Sequence, residues 1–515
     1  MKYPIGIQSF EKIRREGYVY VDKTRQIYEL ATTGVYYFLG RPRRFGKSLL
    51  ISTMEAYFTG RKELFKDLAL EELEKDWTVY PILHLDLNSE KYDSLDKLNG
   101  ILNYYLTAWE RLYGSAPEET SSSLRFMGII KRACEKAGQP VVILVDEYDK
   151  PLLQTFDKPE LQDKLRAELK AFYSVLKTQD KYIRFAFLTG VTKFGKVSVF
   201  SDLNNLQDIS MSDGYVDICG ITEEEIHEYF ETSIQELAEA NRMTYGEAFA
   251  KLRERYNGYH FEYGTPGIYN PFSLLNALKE KKFKNYWFET GTPTFLIRML
   301  QRSNYDLSRL REEELTALRL KSVDSAPRDP VPLIYQSGYL TIKGYDEEFE
   351  TYQLGFPNKE VEDGFINCLL PWYMPVEEGS TEFDARHFVR ELRDGNVDGF
   401  LSRLRTFFDA TDYRVAVKKE ADFQSTLYVI FRMLGQYVEV EHASARGRAD
   451  IVMRTKDYIY IIECKLDGSA DEALLQIEEK GYAKPYEKDS RRLYKIGINF
   501  SSERRTIAEW KVAEK

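Results

Sequence analysis

Through the first 220 residues, short continuous apolar runs alternate with longer segments of helical periodicity. Val35-Tyr-Tyr-Phe-Leu39 reads as a strand that leads, across a tight loop, into a helix over Leu49-Leu-Ile-Ser-Thr-Met-Glu-Ala-Tyr-Phe58. Residues 80–87 form a second expected strand. Val141-Val-Ile-Leu-Val145 forms a third, and its lack of polar interruption suits a strand covered on both faces. Residues 182–188 read as a fourth strand and residues 215–219 as a fifth. Residues 94–113, 119–138 and 159–178 carry helical spacing, the second stopping at Gly138 with Pro140 beyond it. Strands alternating with helices predict an α/β fold with a doubly wound parallel sheet.

From Thr222 the pattern turns helical as far as about residue 320, passing through Tyr256-Asn-Gly-Tyr-His-Phe261 and Asn270-Pro-Phe272. Short extended pieces follow at 333–342 and 351–354, and residues 374–383 read as a linker. Beyond it, a helix expected over 421–434 precedes two apolar strands joined by a short polar connection, and then a helix over 471–480. The expected organisation is therefore residues 1–220, a mostly helical lid and connecting region over 221–373, and a smaller α/β domain over 384–515.

Composition narrows the classes. Of 515 residues, 43% are apolar and 30% charged, which is ordinary for a globular chain with two to four domains. The net charge of −10 argues against an evenly basic surface, although a local basic groove within an acidic whole stays compatible with nucleic acid. Cys134, Cys219, Cys368 and Cys464 are far apart and form no C-x-x-C pair, as expected of a reducing cytoplasm. The first residues carry scattered charges without an apolar core, so a signal peptide is not expected. Nor does any run reach bilayer-spanning length.

The richest chemistry lies at Gly40-Arg-Pro-Arg-Arg-Phe-Gly46-Lys47-Ser48, between strand and helix. Backbone N–H groups at such a helix start point at phosphate oxygens, Lys47 reaches the outer phosphates, and Ser48 holds Mg²⁺. Gly40 and Gly46 are separated by five residues instead of four, so Arg41 stands where the first glycine is usual. Downstream, the apolar strand ending at Val145 delivers Asp146 and Glu147 at its carboxyl end. Asp146 there suits the same magnesium, and Glu147 suits orientation of the water that attacks the γ-phosphate. Thr189, at the tip of the next strand, reads either as a γ-phosphate sensor or as a turn threonine. Arg41, Arg43 and Arg44 read as phosphate-screening, partner-contacting or simply solvated side chains.

A second constellation stands at Arg446-Gly-Arg-Ala-Asp450-Ile-Val-Met453 and Tyr458-Ile-Tyr-Ile-Ile-Glu463-Cys464-Lys465. With Lys456-Asp457 as a two-residue turn, Asp450 falls opposite Glu463. A four-residue turn shifts the pairing by two and keeps both on one face, and Lys465 projects from that face too. Asp450, Glu463 and the Cys464 carbonyl are hard oxygen ligands for Mg²⁺, and Lys465 is placed to position water or stabilise developing charge. An ordinary cross-strand acid–lysine pair is the competing explanation. Glu420 is a further carboxylate, more in keeping with a solvated position. The tail holds Lys484, Lys488, Arg491, Arg492, Lys495, Arg504 and Arg505, which suits phosphate contacts or a plain charged surface.

Together the two constellations resemble a bacterial family in which an AAA-ATPase-like domain precedes a PD-(D/E)XK nuclease-superfamily domain. The matching residues are Arg41-Pro-Arg-Arg-Phe-Gly-Lys-Ser48, Val145-Asp-Glu-Tyr-Asp-Lys-Pro151, Leu188-Thr-Gly-Val-Thr-Lys-Phe194, Asn204-Asn-Leu206, Tyr256-Asn-Gly-Tyr259 and Tyr335-Gln-Ser-Gly-Tyr339. In the last domain they are Gly447-Arg-Ala-Asp450, Glu463-Cys-Lys465 and Ala473-Leu-Leu-Gln476. The resemblance implies a P-loop NTPase sheet, a helical lid and a restriction-endonuclease-like α/β domain. It also implies that lack of the first loop glycine is a shared pattern. The expected function is an ATPase module controlling a Mg²⁺-dependent nuclease, with ATP and Mg²⁺ as cofactors. DNA is favoured over RNA as substrate, no membrane is involved, and self-association is left open. The rival expectation is a nucleotide-dependent switch or assembly platform whose last domain binds nucleic acid or protein without cutting.

Overall fold

Burial decides which apolar runs become central strands. The computed structural model describes residues 1–194, 205–287, 294–303, 305, 307, 310, 313–323, 329–373, 385–409, 430–431, 439–442, 450–486, 489–504 and 506–514. Two compact units result: residues 1–290 with 314–361, and residues 291–313 with 362–515.

The first unit is built on β1 (Tyr36–Gly40), β2 (Ile82–Asp86), β3 (Val141–Asp146), β4 (Ile183–Gly190) and β5 (Gln207–Asp208). They form one parallel sheet in the order β2-β3-β4-β1-β5. The continuous apolar runs sit inside it, every residue of β3 being buried. β2 at the edge alternates instead, with Leu83 and Leu85 buried. Because all five strands run the same way, the carboxyl ends of β1, β3 and β4 gather on one edge, which is where open α/β sheets bind ligands.

The fifth strand differs from expectation. Residues 215–219 form no strand; Asp213–Tyr215 is a single 3₁₀ turn, and the strand beside β1 is the two-residue Gln207–Asp208. The physical reason is a competitor for the backbone: the carbonyls of Tyr215 and Val216 accept from the Arg41 guanidinium. Residues 331–336 are likewise a helix, Val331–Gln336, with Pro332 in its first turn, where a missing N–H costs nothing. The extended pieces that do form are β7 (Thr341–Asp346) and β8 (Thr351–Gly355), in an antiparallel sheet with β6 (Glu314–Thr316).

Helices Glu223–Asn241 and Tyr245–Tyr256 each begin with a capping box, Thr222 with Glu225 and Thr244 with Glu247. With Pro271–Glu280 they bury Ile226, Phe230, Ile234, Leu252 and Leu274 in one core.

The second unit carries a mixed sheet in the order β13-β12-β11-β10-β9: β9 (Glu439–His442), β10 (Ile451–Arg454), β11 (Tyr458–Leu466), β12 (Arg492–Ser501) and β13 (Thr506–Glu514). β11 and β12 are parallel, joined through helix Ala470–Glu479, and the other neighbours are antiparallel. Strand alternation sorts the side chains. Ile451, Met453, Tyr460 and Ile462 share a core with Phe400, Leu404 and Ile498, whereas Val452, Ile459 and Ile461 pack with Ile477 and Leu474 of helix Ala470–Glu479. The expected linker at 374–383, most of the helix at 421–434, Glu420, Asn204, residues 446–449, Lys488 and Arg505 lie outside the described residues.

Candidate functional site

In the first unit, helix Lys47–Phe58 starts directly after the loop, with Gly46 at its N-cap and no side chain capping its first turn. Gly46 sits at φ 94°, in the left-handed region, and the direction a Cβ would take is open space. An uncapped helix start beside such a glycine suits an anion, since backbone N–H groups and the helix dipole both face it.

Lys47 is only 4% exposed, and its Nζ donates to the carbonyls of Arg41 (3.0 Å) and Pro42 (3.2 Å). Glu147 Oε1 lies 3.6 Å from that ammonium. Glu147 itself takes φ 54°, a conformation costly for a side-chain-bearing residue and concentrated at functional positions. Asp146, buried at the end of β3, accepts from Thr189 Oγ1 at 2.5 Å, so Thr189 meets the acidic pair directly. Asp86 is the register neighbour of Asp146; burial pushes its carboxyl upward and the Asp146 charge adds to this. Ser48 stands in the first helical turn and makes no direct hydrogen bond to Asp146 among the described residues. Buried lysine, open helix start and converging carboxylates form a donor set that fits a nucleotide phosphate with Mg²⁺.

Two expectations for the loop are corrected. Gly40 ends β1, with its N–H donated to Ser210 Oγ (2.8 Å) and its carbonyl accepting from Arg41, so it closes the strand and has no N–H left for phosphate. Arg41 is neither solvated nor phosphate-screening: it is 1% exposed and donates to main-chain carbonyls. Arg44 lies over Phe272 at 4.9 Å, and Arg43 is exposed.

A residue without a role in the sequence reading ties this site to the segment after β4. Asp149 is fully buried and accepts from Val191 N (3.1 Å), Thr192 N (2.6 Å) and Thr192 Oγ1 (2.7 Å). Burial first, and Glu147 second, hold its carboxyl above the usual range. In the sequence it was visible only as a member of the run Val145-Asp-Glu-Tyr-Asp-Lys-Pro151, three residues after Asp146. Asp149→Ala is expected to orphan two buried N–H groups and lower stability by about 2–4 kcal/mol, read as a drop in the thermal midpoint of the first unit.

In the second unit, β10 and β11 pair with Ile451 opposite Ile462. Thr455 N donates to Tyr458 O at 2.9 Å, so the two-residue turn is the one adopted and residue 450 falls opposite 463. The side chains interlock: Asp450 N donates to Glu463 Oε2 (3.2 Å), and Cys464 N donates to Asp450 Oδ2 (2.8 Å). In a strand the N–H and C=O of one residue leave toward the same edge, so the Cys464 carbonyl is aimed at the Asp450 side as well. Gln476, from helix Ala470–Glu479, donates to Glu463 Oε1 and accepts from Lys465 Nζ at 2.5 Å, with Lys465 Nζ 3.8 Å from Glu463.

Glu463 is 2% exposed, and burial, followed by the neighbouring Asp450 charge, pushes its carboxyl up to about 7. That displacement from 4.5 corresponds to about 3 kcal/mol against ionisation. A divalent cation reverses such a penalty, so the set fits Mg²⁺. Among the described residues of the basic tail, three have acidic partners: Arg491 with Asp489, Lys495 with Glu478, and Arg492 within 3.9 Å of Glu514. It therefore offers less free positive charge than its composition implied.

A parallel sheet with a phosphate loop and acidic strand end in one unit, and an Asp/Glu/Lys trio on a mixed sheet in the other, define an NTPase-like module and a nuclease-like module. The model of the predicted AAA-ATPase family (AAA-ATPase-like) matches residues 4–200, and that of the PD-(D/E)XK nuclease superfamily matches residues 418–510. Over 518 aligned residues the chain is 34% identical to an uncharacterized protein in the vnfD 5' region of Azotobacter chroococcum mcd 1, covering 98% of each chain. The chain belongs to this family of AAA-ATPase-like proteins with a C-terminal PD-(D/E)XK domain. The Aeropyrum pernix ORC2 protein, solved as ADPNP–ADP complexes, aligns at 11% identity over 70% of this chain and 93% of its own, with a TM-score of 0.23. No helix among the described residues is long and apolar enough to cross a membrane.

Proposed function

We propose that ATP binding and hydrolysis in the first unit control a Mg²⁺-dependent phosphodiesterase in the second, acting on DNA in preference to RNA. The supporting observation is the interlocked trio of Asp450, Glu463 and Lys465, in which two acidic side chains converge and burial, then the Asp450 charge, favours the protonated form of Glu463. Asp450 and Glu463, with the Cys464 carbonyl, would hold the metal, which when bound supplies Lewis acidity at the scissile phosphate. Lys465, oriented by Gln476, would position the attacking water or the developing charge. In the first unit Lys47, Ser48, Asp146 and the N–H groups after Gly46 would hold ATP and its magnesium. Glu147 would orient water, and Thr189 would report on the γ-phosphate through Asp146. The expected extents 1–220, 221–373 and 384–515 are proposed as the limits of the NTPase, lid and nuclease modules.

Glu147→Gln separates binding from turnover: ATP affinity should stay within about threefold while hydrolysis falls by on the order of 100-fold or more, read by equilibrium binding and phosphate release. The same variant, saturated with ATP, should change the rate of nucleic-acid cleavage. Equal cleavage rates with ATP, with ADP and without nucleotide would remove the control. Absence of cleavage of single- and double-stranded DNA and RNA with Mg²⁺ or Mn²⁺ would favour a binding platform.

A further inference from the structure

The residue in place of the usual first glycine is the most heavily engaged side chain of the phosphate loop. Arg41 Nη1 donates to the carbonyls of Gly40 (2.9 Å) and Ser210 (2.8 Å), and Nη2 donates to that of Tyr215 (2.9 Å). Its guanidinium carbon lies 3.9 Å from the Phe261 ring centroid, a cation–π contact in a buried setting. Among the described residues no carboxylate is within ion-pair range of it, so carbonyl dipoles and an aromatic face carry the charge.

The other end of the same residue holds Lys47. The carbonyls of Arg41 and of Pro42 are the acceptors for Lys47 Nζ, so the placement of these two peptides sets the placement of the ammonium. Glycine has nothing to offer at position 41: its φ is not in the left-handed region, and Pro42 restricts the preceding residue to extended conformations. A glycine there would widen the loop's conformational range and remove all four guanidinium hydrogen bonds, to Gly40, Ser210, Tyr215 and Val216. The neighbourhood is close-fitting. Gly338, at φ 88°, approaches so near that a Cβ on it would stand 2.6 Å from Pro42 Cβ. Phe45 is packed edge-on to Tyr259 and Phe261, and Trp287 Nε1 donates to Arg43 O.

We propose that Arg41 is the positioning residue of the phosphate loop: its guanidinium fastens the loop's first peptide to the 210–216 segment and to Phe261, and thereby aims Lys47 at the phosphates. The function rests on reading this loop as the ATP site. It implies that restoring the glycine of the usual motif harms the site.

The test uses the full-length chain with Arg41→Gly, Arg41→Lys and Phe261→Leu. Affinity is measured with a fluorescent ATP analogue and Mg²⁺, and hydrogen exchange is measured without nucleotide. Arg41→Gly should weaken nucleotide binding by about tenfold or more, the scale of losing charge-assisted hydrogen bonds. It should also speed exchange in peptides covering 41–50 and 209–217, with exchange in β10 and β11 unchanged. Arg41→Lys keeps the charge without the planar fork and should fall between glycine and wild type. Should Arg41→Gly fail to fold, Phe261→Leu leaves the carbonyl bonds in place and should still weaken binding by about threefold. Wild-type affinity in either Arg41→Gly or, where that variant does not fold, Phe261→Leu overturns the proposal, as does unchanged exchange at 41–50. A wild-type chain that binds no nucleotide would instead overturn the ATP reading, and the exchange comparison would still decide whether Arg41 orders the loop.

Discussion

Lys47→Ala is expected to reduce ATP binding and turnover by on the order of 100-fold or more, the scale set by removing one preorganised charge from a transition-state site. The ammonium is 4% exposed and is held by two main-chain carbonyls and by a long ion pair with Glu147 at 3.6 Å. A cation buried in this way is poised for a stronger anion than it now meets, and phosphate oxygens supply one. The substitution also leaves Glu147 without its nearest cation, so a modest loss of stability should accompany the loss of binding. Nucleotide titration alongside thermal melting separates the two. Unchanged affinity in a folded Lys47→Ala protein would refute the assignment of the loop. Unchanged cleavage in that protein would refute the coupling alone.

Asp450→Ala should lower metal-dependent phosphodiester cleavage by about a thousandfold while ATP turnover stays within about twofold, since the two acidic sites lie in different units. The pH dependence carries the sharper signature. Glu463 is held up at about 7 in the metal-free protein, chiefly by burial and next by Asp450. Below that pH the carboxyl is protonated, and the metal must displace the proton to bind. Half-saturation by Mg²⁺ or Mn²⁺ should therefore rise as pH falls from 8 to 6, approaching tenfold per pH unit at the acid end. Asp450→Asn removes one of the two causes, so its residual metal binding should show this dependence displaced to lower pH. Metal binding insensitive to pH between 6 and 8 would contradict the placement of Glu463 in the ligand set. For stability the sign is the reverse of the usual carboxylate: the folded chain holds the proton more tightly than the unfolded chain between about 4.5 and 7. This group's contribution to stability thus falls as pH rises through that window.

The legible elements were those whose signal is local. β3 announces itself by five consecutive apolar residues, and the helix after the phosphate loop by its position behind Gly46-Lys47-Ser48. The hairpin was legible to within one alternative, because strand side chains alternate and Asp450, Glu463 and Lys465 remain on one face in either register. The fifth strand was not legible. Gln207–Asp208 has two polar residues and is a strand only because β1 lies alongside, while the apolar alternation at Val216 and Ile218 reflects burial without pairing. Gln476 was visible as a helix residue, but its bridge from Glu463 to Lys465 depends on how the helix settles on β11.

The sequence by itself determined the chemistry available: a lysine behind a glycine at a helix start, a carboxylate pair after a buried strand, and an acid–acid–lysine trio on a hairpin. These follow from short-range geometry, the helical turn and the strand alternation, which need no knowledge of distant residues. Only the tertiary structure decided what each charged group faces. It turned Arg41 from a loop arginine open to phosphate screening, partner contact or solvation into a buried fastening for its own loop, withdrew the N–H of Gly40, gave Asp149 the segment after β4 as partner, and raised Glu463 by burying it against Asp450. Burial and electrostatic environment are set by residues far apart in the chain, and a charge has no settled role until its surroundings are fixed.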